Sequence, residues 1–158
     1  MADLIIIRGT QDSGKTTTAG IVYQELLKFC DHKHQFNGKD VTTDSLLYND
    51  TESTKDFIAI LTCKGKKIGI VSAGDIAEEL RKIFDKLIQL GVDIIVCCTR
   101  SINKKGSAYR LIEDEYRAKN TIVLVVRSEF SPNVNDRYSI KQKAVQDIVD
   151  KINEILGR

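Results

Sequence analysis

Leu4-Ile5-Ile6-Ile7-Arg8-Gly9-Thr10-Gln11-Asp12-Ser13-Gly14-Lys15-Thr16 is the stretch on which the reading of this chain turns. Residues 4–8 form a short, almost wholly apolar run, the pattern of a strand buried on both faces. The run breaks at Gly9 and a helix pattern starts near Lys15. Ala19, Val22, Leu26 and Phe29 then recur at spacings of three and four, giving one apolar face as far as Cys30. Between strand and helix, residues 9–16 read GTQDSGKT, which is G-x-x-x-x-G-K-[ST] in full. Gly9 and Gly14 let the backbone wrap a phosphate without Cβ clashes. The amides from Asp12 to Thr17, Ser13 among them, then point inward, and the helix N-terminus adds its partial positive charge. Lys15 is placed to reach β- and γ-phosphates, and the Thr16 hydroxyl to ligate Mg²⁺.

Outward from this junction the chain alternates strand and helix patterns. Residues 31–55 are polar and read as one long connection, of the kind that is usually functional or mobile. Phe57 to Thr62 and Lys67 to Ser72 read as strands joined by four residues, too few for a parallel crossover, so they form an antiparallel hairpin. Its antiparallel strand is expected at an edge of the sheet. Ile76, Ala77, Leu80, Ile83, Phe84, Leu87 and Ile88 make a helical stripe stopped by Gly91. Asp93 to Thr99 and Thr121 to Arg127 are two more buried runs. Helices are expected over residues 107–119 and 139–156. The pattern predicts an α/β fold: a three-layer α/β/α sandwich on a mainly parallel sheet, with one antiparallel strand from the hairpin.

The complete motif, set between a buried strand and an amphipathic helix, resembles the P-loop containing nucleoside triphosphate hydrolase superfamily. The resemblance covers the motif and the α/β order of residues 1–158, read as a single nucleotide-binding domain. It implies binding of ATP or another NTP with Mg²⁺ through Gly9, Asp12, Ser13, Gly14, Lys15, Thr16 and Thr17. The superfamily's second acidic residue has one candidate, Asp75, which follows the strand IGIVS and also forms a helix-starting D-x-x-E with Glu78. Asp75 would hold the metal's water shell beside Thr16. Arg100 ends the run CCTR, where open α/β sheets place ligands; it would stabilise phosphate charge, with Lys104 and Lys105 on a lid, set against an ordinary solvated basic loop. Lys15, Asp75 and Arg100 are thus the catalytic candidates. Thr42, Thr43 and Asp44 are candidates for metal or acceptor contact, set against a plain solvated loop. His32 and His34 suit a helix C-terminus.

Three activities fit these residues. A small kinase-like phosphotransferase acting on a small acceptor stands first, because size, early motif and late Arg/Lys loop resemble small-molecule kinases. An ATP-binding or ATP-hydrolysing sensor or accessory module stands second. A switch-type GTPase stands last: Val71 occupies the place of the aspartate of D-x-x-G, and Asn103-Lys104-Lys105-Gly106 lacks the acid of N-K-x-D.

Composition narrows the rest. Hydrophobic residues at 42% and charged residues at 29% are too apolar for disorder. Lys plus Arg at 24 against Asp plus Glu at 22 leaves a net charge of +2, without the basic excess of a nucleic-acid binder. No apolar run approaches the roughly 18–20 residues that span a bilayer, and MADLIIIRGT carries no basic leader, so no membrane partner or signal peptide is expected. Cys30, Cys63, Cys97 and Cys98 lack C-x-x-C or finger spacing and read as buried thiols, consistent with a cytoplasmic address.

Overall fold

The computed structural model describes residues 2–9, 15–30, 32–36, 39–40, 58–72, 77–100, 106–128 and 134–157. Along the chain these form β1 (Asp3–Gly9), α1 (Lys15–Leu26), β2 (His32–Phe36), β3 (Lys39–Asp40), β4 (Ile58–Cys63), β5 (Lys66–Val71), α2 (Ala77–Gln89) and β6 (Ile94–Arg100). Then follow α3 (Ala108–Leu111), which runs directly into a π-helical turn (Ile112–Tyr116), β7 (Thr121–Ser128) and α4 (Val134–Ile155).

The strands lie in the order β3-β2-β4-β5-β6-β1-β7. β5, β6, β1 and β7 are mutually parallel, and β4 is antiparallel to β5. Within this sheet, β4, β5, β6, β1 and β7 match the expected α/β class: four parallel strands, with β4 of the hairpin antiparallel to β5. The hairpin closes through Lys64 and Gly65, whose φ values of 52° and 79° are the two positive angles that a right-twisted two-residue turn requires. Two expectations are corrected here. The antiparallel β4 is not at the edge: β2 pairs antiparallel with it in the register His32↔Thr62 to His34↔Ile60, and β3 pairs antiparallel with β2. The polar stretch after α1 therefore contributes two strands. Edge strands need no continuous apolar run, so His-Lys-His-Gln-Phe gave no strand signal. Antiparallel pairing with β2 makes β3, in addition to β4, a second antiparallel strand, where one was expected.

Alternation along β1 sorts the core into two layers. Ile5 and Ile7 pack with Ala19, Val22, Tyr23 and Leu26 of α1 and with Val145, Ile148 and Ile152 of α4. Leu4 and Ile6 face the other way, onto Leu80, Phe84 and Leu87 of α2 and Leu111, Ile112 and Tyr116. Helices thus cover both faces. Burying each such Leu, Ile or Phe side chain is worth about 1.5–3 kcal/mol, and the two faces share β1 and β6 as their common floor. Cys97 and Cys98 point to opposite layers as adjacent strand residues must, and all four cysteines are free and buried. Burial pushes the Cys97 thiol pKa up, assisted by repulsion from Cys98.

α2 ends in a Schellman arrangement. Gly91, at φ 79°, donates to the Ile88 carbonyl, and Val92 reaches back to Leu87. On β5, Gly69 lies beneath this helix: a Cβ there would stand 3.2 Å from Leu87 Cδ1 and 3.3 Å from Val92 Cγ1. The π-turn is tied to α2 by Tyr116, whose ring meets Phe84 edge-on at 5.0 Å and whose hydroxyl donates to Asp85 Oδ1 at 2.6 Å. Arg81 forks onto both carboxylate oxygens of Glu115. Among the described residues no helix is long and apolar enough to cross a membrane.

Candidate functional site

All four parallel strands end at the same side of the molecule, and register decides which residues meet there. Gly9, the last residue of β1, has Arg100 of β6 as its partner on one side and Ser128 of β7 on the other. One step earlier, Arg8 lies between Thr99 and Arg127. Because strand neighbours are about 4.8 Å apart, these six residues make two short rows across the sheet end. α1 begins close by. The sulfhydryl of Cys98 donates to the Lys15 carbonyl at 3.6 Å, fixing the helix start against β6.

Lys15 is the first residue of α1 and only 9% exposed, and its Nζ donates to the Gly9 carbonyl at 3.0 Å. A buried ammonium demands such a partner, so this bond ties the helix start back across the intervening segment to the end of β1. The first turn of α1 contains no acidic residue that would offset its partial positive charge. Among the described residues, the basic side chains at this end of the sheet are Lys15, Arg8, Arg100 and Arg127.

The sequence candidates are thus distributed as follows. Gly9, Lys15 and Arg100 come together at adjoining strand ends. Thr16 and Thr17 stand in the first turn of α1, Thr17 half-buried. Asp12, Ser13, Gly14 and Asp75 lie outside the described residues, as do Thr42, Thr43, Asp44, Lys104 and Lys105. His32 and His34 are placed on β2, away from the parallel strands' carboxyl ends. Among the described residues no group of three or more His, Cys, Asp or Glu side chains is placed to hold a metal ion. Asp93, at the amino end of β6, accepts from the Lys67 amide at 2.9 Å and belongs to the opposite side of the sheet.

Residues that the sequence reading passed over are Arg8, Thr99 and Arg127. Arg8 stacks its guanidinium over the Tyr109 ring, 4.0 Å from the centroid. Thr99 is fully buried, and its Oγ1 has no hydrogen-bond partner. The Tyr109 hydroxyl donates to Glu113 at 2.9 Å, and burial, then this bond, raises its pKa. Glu113 is held at 2.6 Å by Arg117, and that hydrogen bond is the main reason its pKa is lowered. A signal was present: β1 and β7 both carry an arginine at the end of an apolar run, as β6 does.

No family model matches the chain, and comparisons with curated proteins and with solved structures find no match.

Proposed function

We propose that the chain is a P-loop protein that binds ATP with Mg²⁺ and acts as a small kinase-like phosphotransferase. The observation that carries this reading is the Lys15 ammonium bonded to the Gly9 carbonyl, at a strand-to-helix junction bearing the complete Gly9–Thr16 motif. That bond holds the ammonium over the end of β1. On nucleotide binding Lys15 exchanges the carbonyl for phosphate oxygens, while the amides of Asp12 to Thr17 cradle the chain of phosphates. Arg100, on the strand adjoining β1, is in register to neutralise charge that develops on a transferring phosphoryl group. Thr16 would hold Mg²⁺ directly, with Asp75 acting through a water. Bound there, the ion supplies charge neutralisation between phosphates.

Strand order also bears on the competing readings. β6 lies between β5 and β1, so the turn after β5 starts two strand spacings, roughly 9.6 Å, from the Gly9 strand. Arg100, on the strand directly beside β1, is the catalytic candidate that this strand order favours. The test is calorimetric titration of ATP and GTP in Mg²⁺, with Lys15→Ala as control. Losing one charge-assisted contact predicts at least a roughly tenfold weaker ATP affinity with the fold retained. Equal affinity in the variant would remove the site assignment.

A further inference from the structure

We infer that Cys98 is a positioning residue for the phosphate-binding lysine: its thiol sets where α1 begins, and through that where the Lys15 ammonium stands over the end of β1. For its ligand, a nucleoside triphosphate, the inference rests on the P-loop reading. The hold of Cys98 on the start of the helix stands without it.

Lys15 is anchored at both ends. Its carbonyl accepts from the Cys98 thiol at 3.6 Å, and its Nζ donates to the Gly9 carbonyl at 3.0 Å. Cys98 lies on β6 directly beside Ile7 of β1, two residues before Gly9. The two anchors therefore belong to neighbouring strands, whose spacing of about 4.8 Å is set by the sheet. Further along, α1 meets this layer through Ala19, Val22 and Leu26, which pack with Ile5, Ile7 and Val96. Such apolar contacts are non-directional and leave small slides and rotations of a helix nearly free. A slip of one residue moves a helix by about 1.5 Å and turns it by about 100°, so even part of one would carry the ammonium off its mark. The bond from β6 to the first carbonyl of α1 has a direction and removes that freedom.

The residue type suits the task. Cys98 is buried at 1% exposure, small enough for the helix backbone to come close, and it supplies a donor that alanine lacks. As the first residue of α1, Lys15 also offers its carbonyl to the Ala19 amide, and the second lone pair takes the thiol. A thiol is a weak donor, so it steers the helix start and adds little to the stability of the fold. Misplacing a phosphate-binding group by a fraction of an ångström is what its loss should cost.

The experiment compares the full chain with Cys98→Ala, with Cys98→Ser, and with Val145→Ala, which opens a cavity in the same layer but on α4. Hydrogen exchange at the Ala19 amide is followed without nucleotide, and ATP affinity in Mg²⁺ is measured by calorimetry. In Cys98→Ala, exchange should quicken severalfold and ATP should bind about three- to tenfold more weakly. Val145→Ala should leave ATP affinity at the parent value even where its melting temperature falls as far. Partial recovery of affinity in Cys98→Ser, which keeps a donor, supports the assignment. Unchanged exchange in Cys98→Ala overturns the inference. Quicker exchange with unchanged ATP affinity overturns the positioning role, and if Lys15→Ala still abolishes binding the P-loop reading stands. An ATP affinity indifferent to Lys15→Ala overturns the P-loop reading itself, and exchange alone then decides whether Cys98 fixes the helix start.

Discussion

Replacing Thr99 by Val should stabilise the protein. The Thr99 side chain is 0% exposed, and its Oγ1 has no hydrogen-bond partner. A buried hydroxyl without a partner costs about 1–3 kcal/mol relative to water, and valine removes it while keeping shape and β-branching. β6 keeps its strand preference, and Cys97 and Ile95 on the same face keep their neighbours. A gain of about 1–2 kcal/mol follows, and for a chain of this size that raises the melting temperature by roughly 3–6 °C. Circular dichroism melts in phosphate-free buffer read the shift. Urea titration should move the midpoint at constant slope, which separates a stability change from an altered unfolded state. A lower or unchanged melting temperature would refute the reasoning, because it would mean that the hydroxyl is already satisfied.

At Gly69, valine would push its methyl groups into Leu87 and Val92, which already stand 3.2 and 3.3 Å from the position of a Cβ. Overpacking of this kind lowers stability by about 1–3 kcal/mol, read as a lower urea midpoint, and an unchanged midpoint would show that α2 rides freely over β5. Glu113 has a depressed pKa, held down first by the Arg117 hydrogen bond. Its contribution is therefore complete above the ordinary carboxylate value and is lost as pH falls through the lower folded value. Melts of Glu113→Gln and the parent protein should differ at neutral pH and converge in strong acid; a constant difference would show that charge has no part in it.

What the sequence disclosed follows from how strands bury themselves. β1, β6 and β7 are covered or half-covered by helices, so Leu4–Ile7, Ile94–Cys98 and Ile122–Val126 stand out as apolar runs. α2 is legible because Leu80, Phe84 and Leu87 meet one floor at helical spacing. The hairpin was legible from its short link. By contrast, β2 and β3 lie at the end of the sheet and carry polar residues, and α4 starts at Val134 through a polar segment, five residues before its apolar stripe. Residues 107–119 do coil as expected, but pass into a π-turn at Ile112 that no periodicity separates from an α-helix. The motif announced Gly9 and Lys15 because its chemistry is local. Arg8, Thr99 and Arg127 are remote in sequence, and only strand order and register make them neighbours.

The position of β1 has a consequence for synthesis. It is made before both of its hydrogen-bonding partners: Asp3 pairs with Ile94 and with Thr121. At the usual elongation rate of about 5–20 residues per second, the 91 residues separating Asp3 from Ile94 (94 − 3) take roughly 5–18 s to emerge. During that interval the nascent chain carries Leu-Ile-Ile-Ile as an unpaired sticky segment, while the β4/β5 hairpin and α2 are already able to form locally. Chains ending before β6 therefore hold β1 without either neighbour, and the row of Arg100, Gly9 and Ser128 is assembled only once β7 has followed β6.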